Sequence, residues 1–150
     1  MIRLDNTSEQ SIIAMLRDNN ILKSDQVKQI ETLSRESGKS QLETAFELNI
    51  TNESEIAKLL SESFSIPLTK LDHVKITKDI KKYAELRYLK DNIIIPFAIE
   101  GDIIKVAIAD GSKLSLLKNI QSLTKLEPEL HAASLKEISQ FIIRLEKGEK

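Results

Sequence analysis

The chain has no cysteine and no tryptophan, only four glycines and three prolines, and 4% aromatic residues. Without cysteine there is no disulfide framework, no thiolate metal site and no thiol nucleophile, which points to a cytosolic setting. The glycines stand alone at 38, 101, 111 and 148, so no glycine-rich phosphate cradle can be built. No apolar run approaches the roughly 18 to 20 residues that span a bilayer, and Met1 to Ser8 lack the apolar stretch of a signal peptide. These absences predict a soluble protein without direct membrane insertion.

The composition that remains is ordinary for a globular chain of 150 residues, 41% hydrophobic and 30% charged. With so few aromatics, the core must rest on Ile and Leu, which suits helices packed on a small sheet. Residues 1–65 carry 7 basic and 11 acidic side chains and residues 66–150 carry 15 and 12, so the halves stand at −4 and +3. That asymmetry is too mild for a nucleic-acid binder, which needs a concentrated basic face.

Two stretches share one grammar. Ser11 to Ile21 and Gln41 to Ile50 each run an apolar-striped helix into an Asn, an Ile and a fresh polar cap, with Asn20/Asn49 and Ile21/Ile50 both 29 residues apart. Val27/Ile56 and Ile30/Leu59 keep the same offset on the following helices. Asn accepts a left-handed backbone more readily than other residues bearing a side chain, so each Asn is expected to end its helix and turn the chain. Two stacked helix-turn-helix units make an interaction module more readily than an active site.

Cap residues mark the other elements. Ser24 is expected to open a helix to about Ser37, Gly38 to stop it, and Ser40 with Glu43, Asn52 with Glu55, and Ser134 with Glu137 to open three more. Beyond Ser65 the texture shifts: a short extended piece at Ile66 to Thr69, helical turns at Thr77 to Tyr83 and Glu85 to Lys90, then a hairpin of Ile93 to Ile99 and Ile103 to Ala109 around Glu100-Gly101-Asp102. Pro96 cannot donate to a ladder, so its nitrogen should face a sheet edge. Asp110 is expected to cap a helix over Lys113 to Thr124, Glu127 to Ala133 a third strand, and Leu135 to Leu145 a closing helix. The fold class predicted is α+β: residues 1–64 a four-helix subdomain with the two repeats, 65–145 a three-stranded sheet flanked by helices, and 146–150 the start of a linker.

In this order the segments resemble the N-terminal domain of the traffic ATPases that power type II secretion and type IV pilus assembly. Phe64 to Asp72 looks like that family's "LGLPFVDLD", Asn92 to Phe97 like "RVLPL", Glu100 to Asp110 like "EGDTLTVAMADP", and Leu123-Thr124 like "LTG". The resemblance runs from about Ser11 to Ile143. It implies a non-catalytic docking and regulatory module, cytoplasmic and peripheral at a bacterial inner membrane. Its implied partners are the cytoplasmic part of a platform protein and the ATPase domain of the same machine.

The alternative it implies is a cyclic di-GMP sensor, because family members with that site carry tandem motifs beginning Arg-Leu-Gly. This chain departs from the motif where polar recognition is needed: the arginine positions fall at Ser11 or its neighbour and at Ser40, the turn glycines at Asn20 and Asn49, and the second terminal Gln at Ser63. The apolar positions Leu16, Ile21, Leu48 and Ile50 remain, and with Asn20 and Asn49 they make a degenerate form of the motif. Lacking the guanidinium that would pair with phosphate or stack on guanine, the motif reads as helix packing rather than a ligand site. No cofactor is expected. Ile12, Ile13 and Leu16, with Met15 beside them, leave the first helix apolar on more than one face; core packing explains that pattern, and the sharper reading, which the resemblance supports, is that part of the face is exposed to dock a partner.

Other chemistry-like features are weaker. Gly38-Lys39-Ser40 mimics the end of a phosphate loop, but Leu33 stands where its first glycine belongs. His73 and His131 have no ligand-spaced companions. Asp72, His73 and the serines lack a nucleophile turn, and Asp79 with Glu85 or Glu127 with Glu129 read as solvated element ends. Lys78, Lys81, Lys82, Arg87 and Lys90, interleaved with Tyr83 and Tyr88, could serve single strands. Helical spacing instead turns Ile80, Tyr83, Ala84 and Leu86 inward and leaves the lysines wet.

Overall fold

The computed structural model describes residues 4–148. The N-terminal helices are α1 (Asn6–Asp18), α2 (Ser24–Ser37), α3 (Gln41–Glu47) and α4 (Glu53–Phe64). Short α5 (Lys78–Ala84) and α6 (Arg87–Asp91) lead into strands β1 (Ile95–Glu100) and β2 (Ile103–Ile108). A 3-10 segment (Gly111–Leu116) runs into α7 (Leu117–Thr124), then β3 (Glu127–Ala132) and α8 (Leu135–Glu146).

Most helix starts lie where the cap residues predict. Ser40 Oγ accepts from Glu43 N–H at 3.0 Å, Asn52 Oδ1 from Glu55 N–H at 2.9 Å, and Ser134 Oγ from Glu137 N–H at 3.1 Å. The glutamates do not return the bond to their caps. Glu55 accepts from the Thr51 hydroxyl at 2.7 Å, and Glu137 accepts from Leu71 N–H at 3.0 Å, tying the loop after Thr69 to α8. Ser24 is the first helical residue rather than the cap; Lys23 holds that place, its N–H satisfied by the Gln26 side chain at 2.9 Å. Gly38 ends α2 at φ 75°.

The sheet order is β1-β2-β3, with β1 antiparallel and β3 parallel to β2. The parallel pairing is possible because the 3-10 segment and α7 carry the chain back across the sheet. Pro96 therefore lies on an edge strand, and the register slips between Pro96 and Ala98, leaving Phe97 as a bulge. Beyond β3, Thr69 N–H donates to Ala132 O at 2.9 Å and Ala132 N–H to Pro67 O at 2.8 Å, so the extended piece after α4 covers that end of the other edge.

Three expectations are corrected. The helix over Lys113 to Thr124 is a 3-10 segment followed by an α-helix, with Leu116 at φ −100°, ψ 4° between them. The first strand begins at Ile95, because Ile93 sits at φ 54° and still belongs to the turn that ends α6. Glu146 remains in α8, which Lys147 and Gly148 (φ 71°) close; the rest of the linker expected over 146–150, residues 149 and 150, lies outside the described residues.

Alternation along the strands sends side chains to two cores. Ile104, Val106, Ile108, Leu130 and Ala132 meet Ile12, Leu16, Ile30, Leu42, Leu60 and Ile120 from the helices on one face. Ile95, Phe97, Ala107 and Ala109 meet Ile80, Ile138 and Phe141 on the other. The central strand is thus covered on both sides, which is why β2 reads as an almost unbroken apolar run.

Candidate functional site

The tandem turns are the feature from which a site would be built. Asn20 and Asn49 sit at φ 61° and 57°. In the first turn Ile21 N–H donates to Leu16 O at 2.9 Å and Asn20 N–H to Arg17 O at 3.0 Å; in the second, Ile50 N–H donates to Ala45 O at 3.1 Å and Asn49 N–H to Phe46 O at 3.0 Å. This is the paired closure of a left-handed helix end, repeated bond for bond at the 29-residue offset. Both asparagines are solvent-exposed, Ile21 and Ile50 are half-buried, and Leu48 is exposed.

A third copy escaped the sequence reading. Ile93 N–H donates to Lys90 O at 3.2 Å and Ile94 N–H to Leu89 O at 2.9 Å, the same closure with Ile in place of Asn. Asn92 Nδ2 donates to Tyr88 O at 2.9 Å as Asn19 Nδ2 donates to Met15 O at 2.8 Å. The signal was available: Leu16, Asp18, Asn19 and Ile21 recur as Leu89, Asp91, Asn92 and Ile94 at an offset of 73.

The residues expected to dock a partner are inside. Ile12, Ile13 and Leu16 are 2%, 3% and 0% exposed, because α1 is covered by α3, α4 and the 3-10 segment. A helix apolar on several faces is here a helix buried on several faces. Of the motif positions, Leu16 is core, and at Ser40, one of the positions aligned with the family's arginines, Oγ is engaged as the α3 cap.

The remaining candidates are dispersed. Gly38-Lys39-Ser40 is a helix stop and start, with Lys39 Nζ paired to Glu47. His73 is open to solvent 3.4 Å from Asp72, while His131 is buried, its Nε2 2.8 Å from Glu129 and its ring edge-on to Phe97 at 5.1 Å between centroids. Glu127 accepts from Gln121 Nε2 at 2.8 Å. Among the described residues no cluster of three or more His, Cys, Asp or Glu could hold a metal. Tyr83 and Tyr88 are half-buried against the first core, and Tyr88 OH accepts from Asn119, so neither ring is a free stacking platform.

The MshEN domain family matches residues 64–150, more than half of the chain. The chain belongs to the MshEN domain family. Its fold is similar to that in a structure of MshE with cdg, at a TM-score of 0.64 and 17% identity over 89% of this chain and 97% of that one. It is also similar to two crystal forms of the N-terminal domain of XpsE. One has a TM-score of 0.61 and 22% identity over 96% and 98% of the two chains; the other has 0.53 and 23% over 96% and 99%. None of the curated proteins compared matches it. In this MshEN chain the family match opens at Phe64, whose ring lies over Gly111: a Cβ added at Gly111 would come within 2.5 Å of the Phe64 Cζ. Only glycine leaves room for that contact between the end of α4 and the start of the crossover.

Proposed function

We propose that the chain is a non-catalytic N-terminal module of a traffic ATPase serving type II secretion or type IV pilus assembly, one that docks the motor to the cytoplasmic part of an inner-membrane platform protein. Membership of the MshEN family, joined to a fold that covers 98% of the N-terminal domain of XpsE, is the observation that supports it. In this reading residues 1–64 and 65–145 are the helical and α/β parts of the module, and the chain beyond the close of α8 leads into a tether. Tethering acts through effective concentration: a bound module holds the rest of the chain at up to millimolar local concentration beside its partner. Among the described residues no helix is long and apolar enough to cross a membrane, so attachment would come through the partner.

The test is calorimetric titration of this chain against the isolated cytoplasmic domain of the cognate platform protein. Saturable binding is expected; its absence, with both partners folded, overturns the docking reading. Charged substitutions at Ile12 or Ile13 are unsuitable probes, since they would strike the core first.

A second reading follows from the likeness to MshE with cdg. The cyclic di-GMP sensor would use the turns at Asn20 and Asn49 with their neighbours Ile21, Leu48 and Ile50. The serines in place of arginine count against it, and titration with cyclic di-GMP is expected to show no sub-micromolar binding. Such binding would reverse the order of the two readings.

A further inference from the structure

A cavity of about 340 Å³ opens where α5, α6, the start of β1 and the end of α8 meet. Ala84, Ile95, Ile142 and Leu145 form its apolar lining, and Lys81, Lys90 and Lys147 stand around it with Glu85 and Glu146. The three ammonium groups come from three different elements. None of them is paired with a carboxylate among the described residues, although two glutamates line the same space. The carbonyl ends of α5, α6 and α8 gather at this corner, and cations are favourable beside helix C-termini, which accounts for lysines there without neutralising their full charge.

Three further observations bear on the same place. Residues 75–90, which supply Lys81, Ala84, Glu85 and Lys90 to the lining, hold six basic and two acidic side chains, a net of +4 in a chain whose net charge is −1, and Arg87 among them pairs with Asp91. Ile93, between rim residue Lys90 and lining residue Ile95, is held at φ 54°, a conformation that a β-branched residue adopts only when its surroundings enforce it. On α8, Ile143, which follows lining residue Ile142, is 48% exposed.

We propose that this cavity is a docking site for an acidic segment of a partner protein, inserting an apolar side chain between the lysines while flanking carboxylates meet Lys81, Lys90 and Lys147. A small inorganic anion would leave the hydrocarbon lining unused, and a purely apolar ligand would leave three ammonium groups unmatched; an apolar anchor with carboxylates on either side satisfies both. The site is independent of the ATPase assignment, and of α1.

The probe is a fluorescein-labelled peptide with a central Leu-Phe pair flanked by aspartates, measured by anisotropy and by NMR shift mapping on the full 150-residue chain. The controls are the same peptide with lysines for the aspartates and with alanines for the Leu-Phe pair. Saturable binding with shifts centred on Ala84, Ile95, Ile142 and Leu145 is expected, weakened by either change to the peptide. K81E combined with K90E should weaken it by about tenfold, the effect of roughly 1.4 kcal/mol. Ala84→Leu, which fills the cavity, should weaken it without reversing any charge. Thermal melts establish that both variants are folded. No saturable binding at millimolar peptide, shifts centred elsewhere, or undiminished affinity in the folded double variant would each overturn the proposal.

Discussion

The turns at Asn20 and Asn49 and the turn at Ile93 close their helices with the same pair of backbone bonds, yet the first two put an exposed amide at the left-handed position and the third a half-buried β-branched hydrocarbon. Local preference decides where the side chain faces water. At Ile93 the half-buried side chain packs against the core cluster that holds Ile95, Phe97 and Ile138, and burial offsets a backbone cost of about 1 to 2 kcal/mol. The closure therefore belongs to the backbone, whose accepting carbonyl comes from Leu16, Ala45 and Leu89 in turn, while the left-handed residue is chosen by its surroundings.

The largest effect follows from the leucine that the first and third turns share. Leu16 and Leu89 are each fully buried, and each carbonyl receives the bond that closes its turn. Leu16→Ala and Leu89→Ala should each cost about 2 to 5 kcal/mol in chemical denaturation, through lost burial and the cavity left behind. If one were nearly neutral, the two turns would not be structural equivalents.

Exchanging the left-handed residues tests the part that differs. Asn20→Ile and Asn49→Ile should each destabilise by about 1 to 2 kcal/mol, because neither exposed site offers packing to compensate the strain. Ile93→Asn relieves strain and loses burial, so it should change stability by less than about 1 kcal/mol. A neutral Asn20→Ile would remove the distinction.

That contrast also shows what was legible in the sequence. The Asn turns, the caps at Ser40, Asn52 and Ser134, the hairpin at Gly101 and the edge position of Pro96 could be read because each depends on residues a few places apart. The third turn was hidden because its left-handed residue is an isoleucine, which only tertiary burial can justify. The same holds for α1: the sequence displays apolar residues on several faces, but whether Ile12 and Ile13 meet water or the 3-10 segment depends on elements about a hundred residues away. The parallel pairing of β3 is likewise set by the crossover rather than by anything inside the strand. For the candidate site, the basic run was visible as composition, but its meeting with Ile142 and Leu145 on the last helix was not.

Helix starts give the complementary comparison, with smaller effects. Asp5 caps α1, accepting from Ser8 N–H at 2.8 Å, and that bond holds its carboxyl below the usual carboxylate range. A lowered folded value means the stabilisation is full above the unfolded pKa and is lost as pH falls through the folded one. Asp5→Ala should cost about 1 kcal/mol at neutral pH, and the deficit should shrink on acidification.

At the start of α4 the sign reverses. Glu53 Oε1 is buried without a hydrogen-bond partner, and burial pushes its carboxyl up, with Lys136 pulling part of the way back. A raised folded value means the folded chain holds the proton more tightly than the unfolded one. The contribution is present below the unfolded pKa, and it is lost as pH rises through the folded one. Glu53→Gln should therefore raise the melting temperature slightly at neutral pH, and the advantage should fade toward roughly pH 4, where the wild-type carboxyl is itself neutral. Thermal melts of wild type and both variants across that range should give opposite slopes for Asp5 and Glu53. Parallel slopes would mean that Glu53 reaches solvent or a partner in solution, and that the seam between α4 and α8 is looser than its packing implies.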